Sequence, residues 1–117
     1  MSGLTSYHAG LAAETSVQRH YADAGGVLAA SRWRGKSGEI DLVMREGAAV
    51  VFIEVKKAAT HAEAALRLTS RQMARIYASA AEFLAGEPAG QNTESRFDVA
   101  LVDSYGRIEV LENAFIG

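Results

Sequence analysis

Cysteine is absent from the 117-residue chain, which excludes a disulfide framework and every thiolate metal site. That absence fits a reducing compartment, and a cytoplasmic protein is expected. Proline occurs once, at Pro88. The longest unbroken apolar run, residues 48–53, is six residues, far too short to span a bilayer. No cationic stretch followed by an apolar one opens the chain, so no secretory signal is expected. There is no G-x-S-x-G nucleophile motif. His8, His20 and His61 lie without ligand spacing, so zinc is not expected. Strong basicity is missing too. Lys and Arg number 12 against 14 Asp and Glu, a formal charge of −2, unlike a non-specific nucleic-acid coat.

What is present describes one globular domain over residues 1–117. The composition is 49% apolar and 22% charged. A chain of this length buries about two-thirds of the surface it exposes when unfolded, enough for one sizeable core. Charge is unevenly spread. Residues 1–75 carry ten Lys/Arg against seven Asp/Glu, and residues 76–117 carry two against seven. An anionic partner is therefore expected to meet the first two-thirds of the chain.

Leu11, Val17 and Tyr21 recur at near-helical spacing, predicting a helix over about residues 9–24 that stops at Gly25 and Gly26. Strands are predicted over 27–33, 39–45 and 49–57, with residues 46–48 as a hairpin turn. A helical region follows over about 61–85. Thr60 and Glu63 form a capping box, Ser70 is a candidate start of a second segment, and Met73, Ile76, Tyr77, Ala80 and Leu84 make an apolar stripe. After a surface connection at 86–92, Phe97, Val99 and Leu101 alternate as a strand. A turn at 103–106 leads to a last strand through Ile108 and Val110. The order α-β-β-β-α-β-β predicts an α/β fold with a mixed sheet and helices packed on it.

The hairpin concentrates the chemistry. A turn centred near Gly47 and Ala48 opposes Asp41 to Glu54, Glu39 to Lys56 and Val43 to Phe52. On the other face Leu42 meets Ile53 and Ile40 meets Val55, an aliphatic layer. Directly opposed side chains lie roughly 4.5–5.5 Å apart at Cβ. Two opposed carboxylates repel, and a divalent cation relieves the repulsion: Mg²⁺ takes hard oxygen ligands and is commonly held by one or two carboxylates with water and phosphate. Lys56, two residues past Glu54, shares its face and can orient a water or stabilise phosphate charge. The alternative is a solvated polar face with a Glu39–Lys56 cross-strand pair.

The stretches G-E-I-D-L-V at 38–43 and V-F-I-E-V-K at 51–56 resemble the PD-(D/E)xK nuclease signature. The wording G-E-I-D-L, F-I-E-V-K and R-F-D-V (96–99) is similar to the YraN family of small bacterial endonuclease-like proteins. That family is similar in turn to archaeal Holliday junction resolvases. The likeness covers about residues 10–103. It implies a restriction-endonuclease-like core and Mg²⁺- or Mn²⁺-dependent hydrolysis of phosphodiester bonds in DNA. Branched or structured DNA, such as a Holliday junction, is the implied substrate. By position, the resemblance makes Asp41 and Glu54 metal ligands with the Val55 carbonyl, Lys56 the catalytic lysine, and Glu14 a further acidic residue at the same metal. Gln72, after Arg71, matches a glutamine that lies near the site in the family. Two positions depart from the pattern. Ile40 stands in place of proline, and Ala58 stands where the family often has arginine; the adjacent Lys57 is expected on the opposite face.

Arg67, Arg71 and Arg75 repeat at i, i+4 along one expected helix face, and Arg32, Arg34 and Lys36 precede the hairpin. They are candidate phosphate contacts, the alternative being ordinary solvated surface. Trp33 is either a base-stacking platform or a core residue. Asp98 is expected to pair with an arginine. Glu14 either bonds Arg32 or Arg34 or reaches the metal. The G-K-S at 35–37 is not a P-loop, because Ala30 stands where glycine is required and a strand follows. Leu111, Phe115 and Ile116 form an apolar tail that motivates a homodimer. The rival to an enzyme is a non-catalytic module of the same fold, binding nucleic acid or a protein partner.

Overall fold

The computed structural model describes residues 3–114, with the side chains of the first helix described from residue 10. Phe115 and Ile116 of the apolar tail, and the side chain of His8, lie outside the described residues. In chain order the elements are α1 (Gly3–Asp23), β1 (Val27–Arg34), β2 (Glu39–Glu46), β3 (Ala49–Lys57), α2 (His61–Leu66), α3 (Ser70–Ala85), a 3₁₀ turn (Gly90–Asn92), β4 (Ser95–Val102) and β5 (Ile108–Leu111).

The five strands form one sheet in sequential order. Neighbours pair antiparallel except β3 and β4, which are parallel. Parallel neighbours require a crossover, and α2 with α3 supplies it. The result is the mixed α/β sheet that the element order predicts, with the layout of a restriction-endonuclease-like core. The hairpin register is the expected one: Leu42 pairs with Ile53, Val43 with Phe52 and Glu46 with Ala49. Gly47, the first of two loop residues, has φ 63 while Ala48 does not turn positive, the pattern of a type II′ turn.

Hydrophobic alternation puts a core on each face of the sheet. On one face Ala13, Val17 and Tyr21 of α1, spaced four apart, cover Leu42, Met44, Val51, Ile53, Ala100 and Val102. On the other, Ala64, Ile76, Ala80 and Leu84 cover Val43, Val50, Phe52, Val99 and Leu101. β3 is covered on both sides, which is why residues 48–53 read as an unbroken apolar run. Trp33 is half-buried and meets Phe83 edge-on at 5.4 Å, so it belongs to the core.

The second helical segment starts at Ser70, the candidate start, because the chain is extended at Thr69 (φ −106, ψ 157), whose side chain caps α3 in a full capping box with Gln72. Three expectations change. Arg67 therefore ends α2 while Arg71 and Arg75 belong to α3, and no continuous arginine stripe exists. Ile40 packs with Val43 and Phe52 and not in the aliphatic layer beside Leu42. Its displacement coincides with the end of the regular β2–β3 ladder at Leu42 and Ile53. The first helix also begins at Gly3, ahead of residue 9.

A buried polar network fastens α1 to the sheet. Tyr21 donates its hydroxyl to Asp98 Oδ2 at 2.7 Å, and Asp98 is fully buried. Arg96 Nε donates to both Asp98 oxygens, its other nitrogens grip Glu46 at 2.7 and 3.2 Å, and the Asn113 N–H reaches Asp98 Oδ1. Asp98 is thus the arginine partner that was expected. Tyr21→Phe should lower stability by about 1–3 kcal/mol, because a buried carboxylate loses a donor. Asp98→Ala, which leaves Arg96 and Tyr21 without it, should lower stability by about 3–5 kcal/mol. Urea unfolding measures both, and two near-neutral variants would show that apolar packing alone seats α1.

Candidate active site

Where β2 and β3 cease to pair, the side chain of Asp41 takes over a backbone role. Its Oδ2 accepts the Val55 N–H at 2.8 Å. This holds the carboxylate between the strands and turns it toward Glu54, whose carboxyl lies within hydrogen-bonding reach. On the neighbouring strand, Arg32 adopts a left-handed φ of 50 between the residues paired to Leu42 and Ile40. Its Nε donates to Glu14 Oε2 at 3.0 Å, drawing α1 over the same place.

The surroundings form a cleft of about 340 Å³. Gly10, Ala13 and Glu14 line it from α1, Glu39 and Asp41 from β2, and Gln72 from α3. Glu54, Val55, Lys56 and Lys57 line it from β3. A second chamber of about 250 Å³ adjoins it, sharing Glu39, Glu54 and Gln72, and reaches Arg34, Gly38 and Arg75.

Electrostatics follow from this crowding. Burial and the facing Asp41 carboxylate push the Glu54 carboxyl up to about 9, with Lys56 opposing and Glu14 adding to the rise. Burial also raises the Glu14 carboxyl; the Arg32 hydrogen bond works against it, and the charges of Asp41 and Glu39 support it. In the metal-free protein burial and the facing Asp41 carboxylate accordingly favour the neutral form of Glu54.

The structure brings Asp41, Glu54, Val55, Lys56, Glu14 and Gln72 together around one cavity. Of the two roles weighed for it, Glu14 takes the bond to Arg32, and it lines the same cleft as Asp41 and Glu54. Gln72 Oε1 accepts the Thr69 N–H in the helix cap, so its amide NH₂ is the part left to act as a donor. Lys57, expected on the opposite face, lines the same cleft at the end of β3. Glu39 pairs with Arg34 at 3.7 Å and not with Lys56.

The basic candidates divide. Arg34 and Arg75 line the second chamber. Arg67 turns inward to donate to the Lys57 carbonyl at 3.0 Å. Arg71 and Lys36 are exposed and line neither chamber. The T-x-x-Q signature at Thr69 and Gln72 was available to show the helix break. The Arg34–Glu39 pair had no local signal, because it depends on how the 35–38 turn closes.

Among the described residues, no three His, Asp or Glu side chains converge tightly enough to form a ready-made metal site. Two hard carboxylates side by side in a polar cleft do suit a divalent cation that keeps several waters, as Mg²⁺ does. Asp41 and Glu54 are the residues able to hold it.

Residues 13–102 match the profile described as Uncharacterised protein family UPF0102. The chain is 66% identical over 115 residues to a UPF0102 protein of Cereibacter sphaeroides strain KD131, covering 98% of each. It is 57% identical to one from Ruegeria pomeroyi, covering 97% of this chain and 92% of that protein. A third, from Roseobacter denitrificans, is 54% identical, with 97% and 88% covered. The chain belongs to this family, the YraN family that its hairpin motifs resemble.

A raised carboxyl carries a definite sign in linkage. Glu54's favourable contribution to metal-free stability is complete below the ordinary carboxylate pKa and fades as pH climbs toward about 9. Glu54→Gln, which mimics the protonated form, should flatten that decline in thermal melts between neutral and alkaline pH. Mg²⁺ or Mn²⁺ must displace the Glu54 proton, so metal affinity should rise with pH and calorimetry in two buffers should detect proton release. Pronounced metal binding without proton release would contradict the shared-proton arrangement.

Proposed function

We propose that this UPF0102 protein is a Mg²⁺- or Mn²⁺-dependent endonuclease that hydrolyses phosphodiester bonds in DNA. Branched or structured DNA, such as a Holliday junction, is the substrate that the resemblance favours. The observation that carries the proposal is the Asp41–Glu54 pair, held at the end of the hairpin beside Lys56 in one cleft. A purely structural hairpin has no use for two half-buried carboxylates forced together, since the arrangement lowers stability and needs a proton or a cation to relieve it.

When bound, the divalent ion supplies charge neutralisation and Lewis acidity at the scissile phosphate. The protein's own groups do the rest. Asp41 is held rigid by the Val55 N–H, so its oxygens are presented at no reorganisation cost. Lys56 has three donors on a flexible stem and can hold the attacking water and a phosphate oxygen together. Gln72, fixed by Thr69, offers N–H donors from the facing helix. Glu14, positioned by Arg32, faces the same space and can bond a water there. Lys57 in the cleft compensates in charge for the arginine replaced by Ala58.

A non-catalytic DNA-binding or partner-binding module is the second reading. The observation that favours it is the engagement of Glu14 by Arg32, which leaves two carboxylates and not three to meet a cation. Incubation with Mn²⁺ or Mg²⁺ and linear, flapped and four-way DNA separates the two. The enzyme should cut at least one of these. Lys56→Ala should keep metal binding and lose turnover by orders of magnitude, and Asp41→Asn should abolish both. Tight DNA binding with no cleavage under any metal would establish the module instead.

Symmetric cleavage of a junction needs two sites, which a two-fold pair of chains supplies. Of the apolar tail, Leu111 on the short edge strand β5 is the residue described, and it is 38% exposed. Light scattering should then give twice the chain mass; a monomer throughout would refute pairing.

A further inference from the structure

We propose that the chamber between Arg34 and Arg75 is a phosphate subsite that clamps one further phosphate of the nucleic-acid backbone, next to the phosphate held at Asp41 and Glu54. The proposal rests on the nuclease reading of the main cleft and extends it to the path of the substrate. Its two walls come from different elements, yet they are locked together. Ser79, fully buried on α3, donates its hydroxyl to the Gly38 carbonyl at 2.9 Å. Three residues further along α3, the Glu82 carboxylate accepts the N–H groups of Lys36 and Ser37 at 2.9 and 3.3 Å. Gly38 has φ 148, a conformation glycine alone adopts freely, so the turn closes against α3 at that point. Across this frame Arg34 ends β1 and Arg75 rides on α3, both lining the chamber.

These two arginines combine availability with a place in the chamber, which Arg71 does not line. Arg75 has no hydrogen-bond or ion-pair partner among the described residues. Arg34 has only a loose contact with Glu39 at 3.7 Å, with 76% of its side chain exposed. Arg32 is bonded to Glu14, and Arg67 to a backbone carbonyl. Two arginines lining one small space can offer their planar donor forks to the tetrahedral oxygens of a single phosphate, in a way that lysines or a scattered arginine row do not. Glu39 occupies Arg34 in the free protein, standing where the phosphate would sit. Because the chamber shares Glu39, Glu54 and Gln72 with the main cleft, the strand it admits runs continuously from the scissile phosphate toward α3 and the 35–38 turn.

The test is equilibrium binding of a short fluorescein-labelled DNA duplex in EDTA, across a range of salt, with no cleavage required. Each phosphate contact contributes about 0.9 to the slope of log affinity against log salt. Arg34→Gln and Arg75→Gln should each reduce the slope by about that amount. The double variant should lose no more than either single one, since both hold the same phosphate. Arg71→Gln, one turn earlier on α3 and outside the chamber, should leave the slope intact. Glu39→Gln should tighten binding by removing the competing anion. Additive slope losses, an Arg71 effect equal to that of Arg75, or no gain from Glu39→Gln would each overturn the clamp while leaving the nuclease reading standing. Failure of the unmodified protein to bind the duplex at all would overturn the clamp, and the nuclease reading would then stand or fall on the cleavage assay with metal.

Discussion

The single contact on which the site depends is the hydrogen bond from the Val55 N–H to the Asp41 carboxylate. A β-ladder normally satisfies each amide with a carbonyl of the next strand. Here a side chain substitutes, and three things follow together. The strands separate without leaving an orphaned donor, the carboxylate is fixed by the sheet itself, and Glu54 is left facing it with no strand-to-strand partner in between. Rigid backbone, and not a flexible loop, thereby places the charge.

That placement is maintained from both faces of the sheet. α1 is seated by Val17 and Tyr21 and tied to β4 and β2 through Asp98, Arg96 and Glu46. It brings Glu14 over the opening. α3 is seated on the other face by Ile76, Ala80 and Leu84, and its capping box fixes Gln72 at the helix start, beside Glu54. The cleft is therefore walled by two helices on independent cores, meeting where β2 and β3 part. Apolar packing well away from the carboxylates decides how far apart the walls stand.

Much of this was legible in the sequence, for reasons that can be named. Strand alternation and a two-residue turn fix the register up to Leu42 and Ile53, so bringing the next residues, Asp41 and Glu54, together required no tertiary information. Val17 and Tyr21 of α1 and Ile76, Ala80 and Leu84 of α3 are likewise buried as their spacing predicts, whereas Tyr77 of the same stripe stays 39% exposed. What could not be read depends on the chain leaving a regular pattern. Ile40 changes sides because the ladder ends beside it, and Lys57 enters the cleft because β3 ends there. Arg67 parts company with Arg71 because Thr69 is extended, although the T-x-x-Q signature was present. Glu39 chooses Arg34 over Lys56 because the 35–38 turn, closed by Glu82 and Ser79, brings the end of β1 beside the start of β2. Each departure occurs at the end of an element, where periodicity stops carrying information.

The modest net charge is compatible with a polyanionic substrate once position is considered. Lys56 and Lys57 line the cleft that holds Asp41 and Glu54, and Arg34 and Arg75 line the chamber beside it, whereas Glu87, Glu94 and Glu112 belong to the acidic C-terminal third. Within the cleft, burial and the facing Asp41 favour the neutral form of Glu54, and Arg32 offsets Glu14. An approaching phosphate backbone thus meets carboxylates already partly neutralised, and unpaired cations at the rim. Full negative charge develops at the pair only when the Glu54 proton leaves, which is the condition a divalent cation creates. Metal and substrate are in this way drawn to one place by charges that each would otherwise oppose.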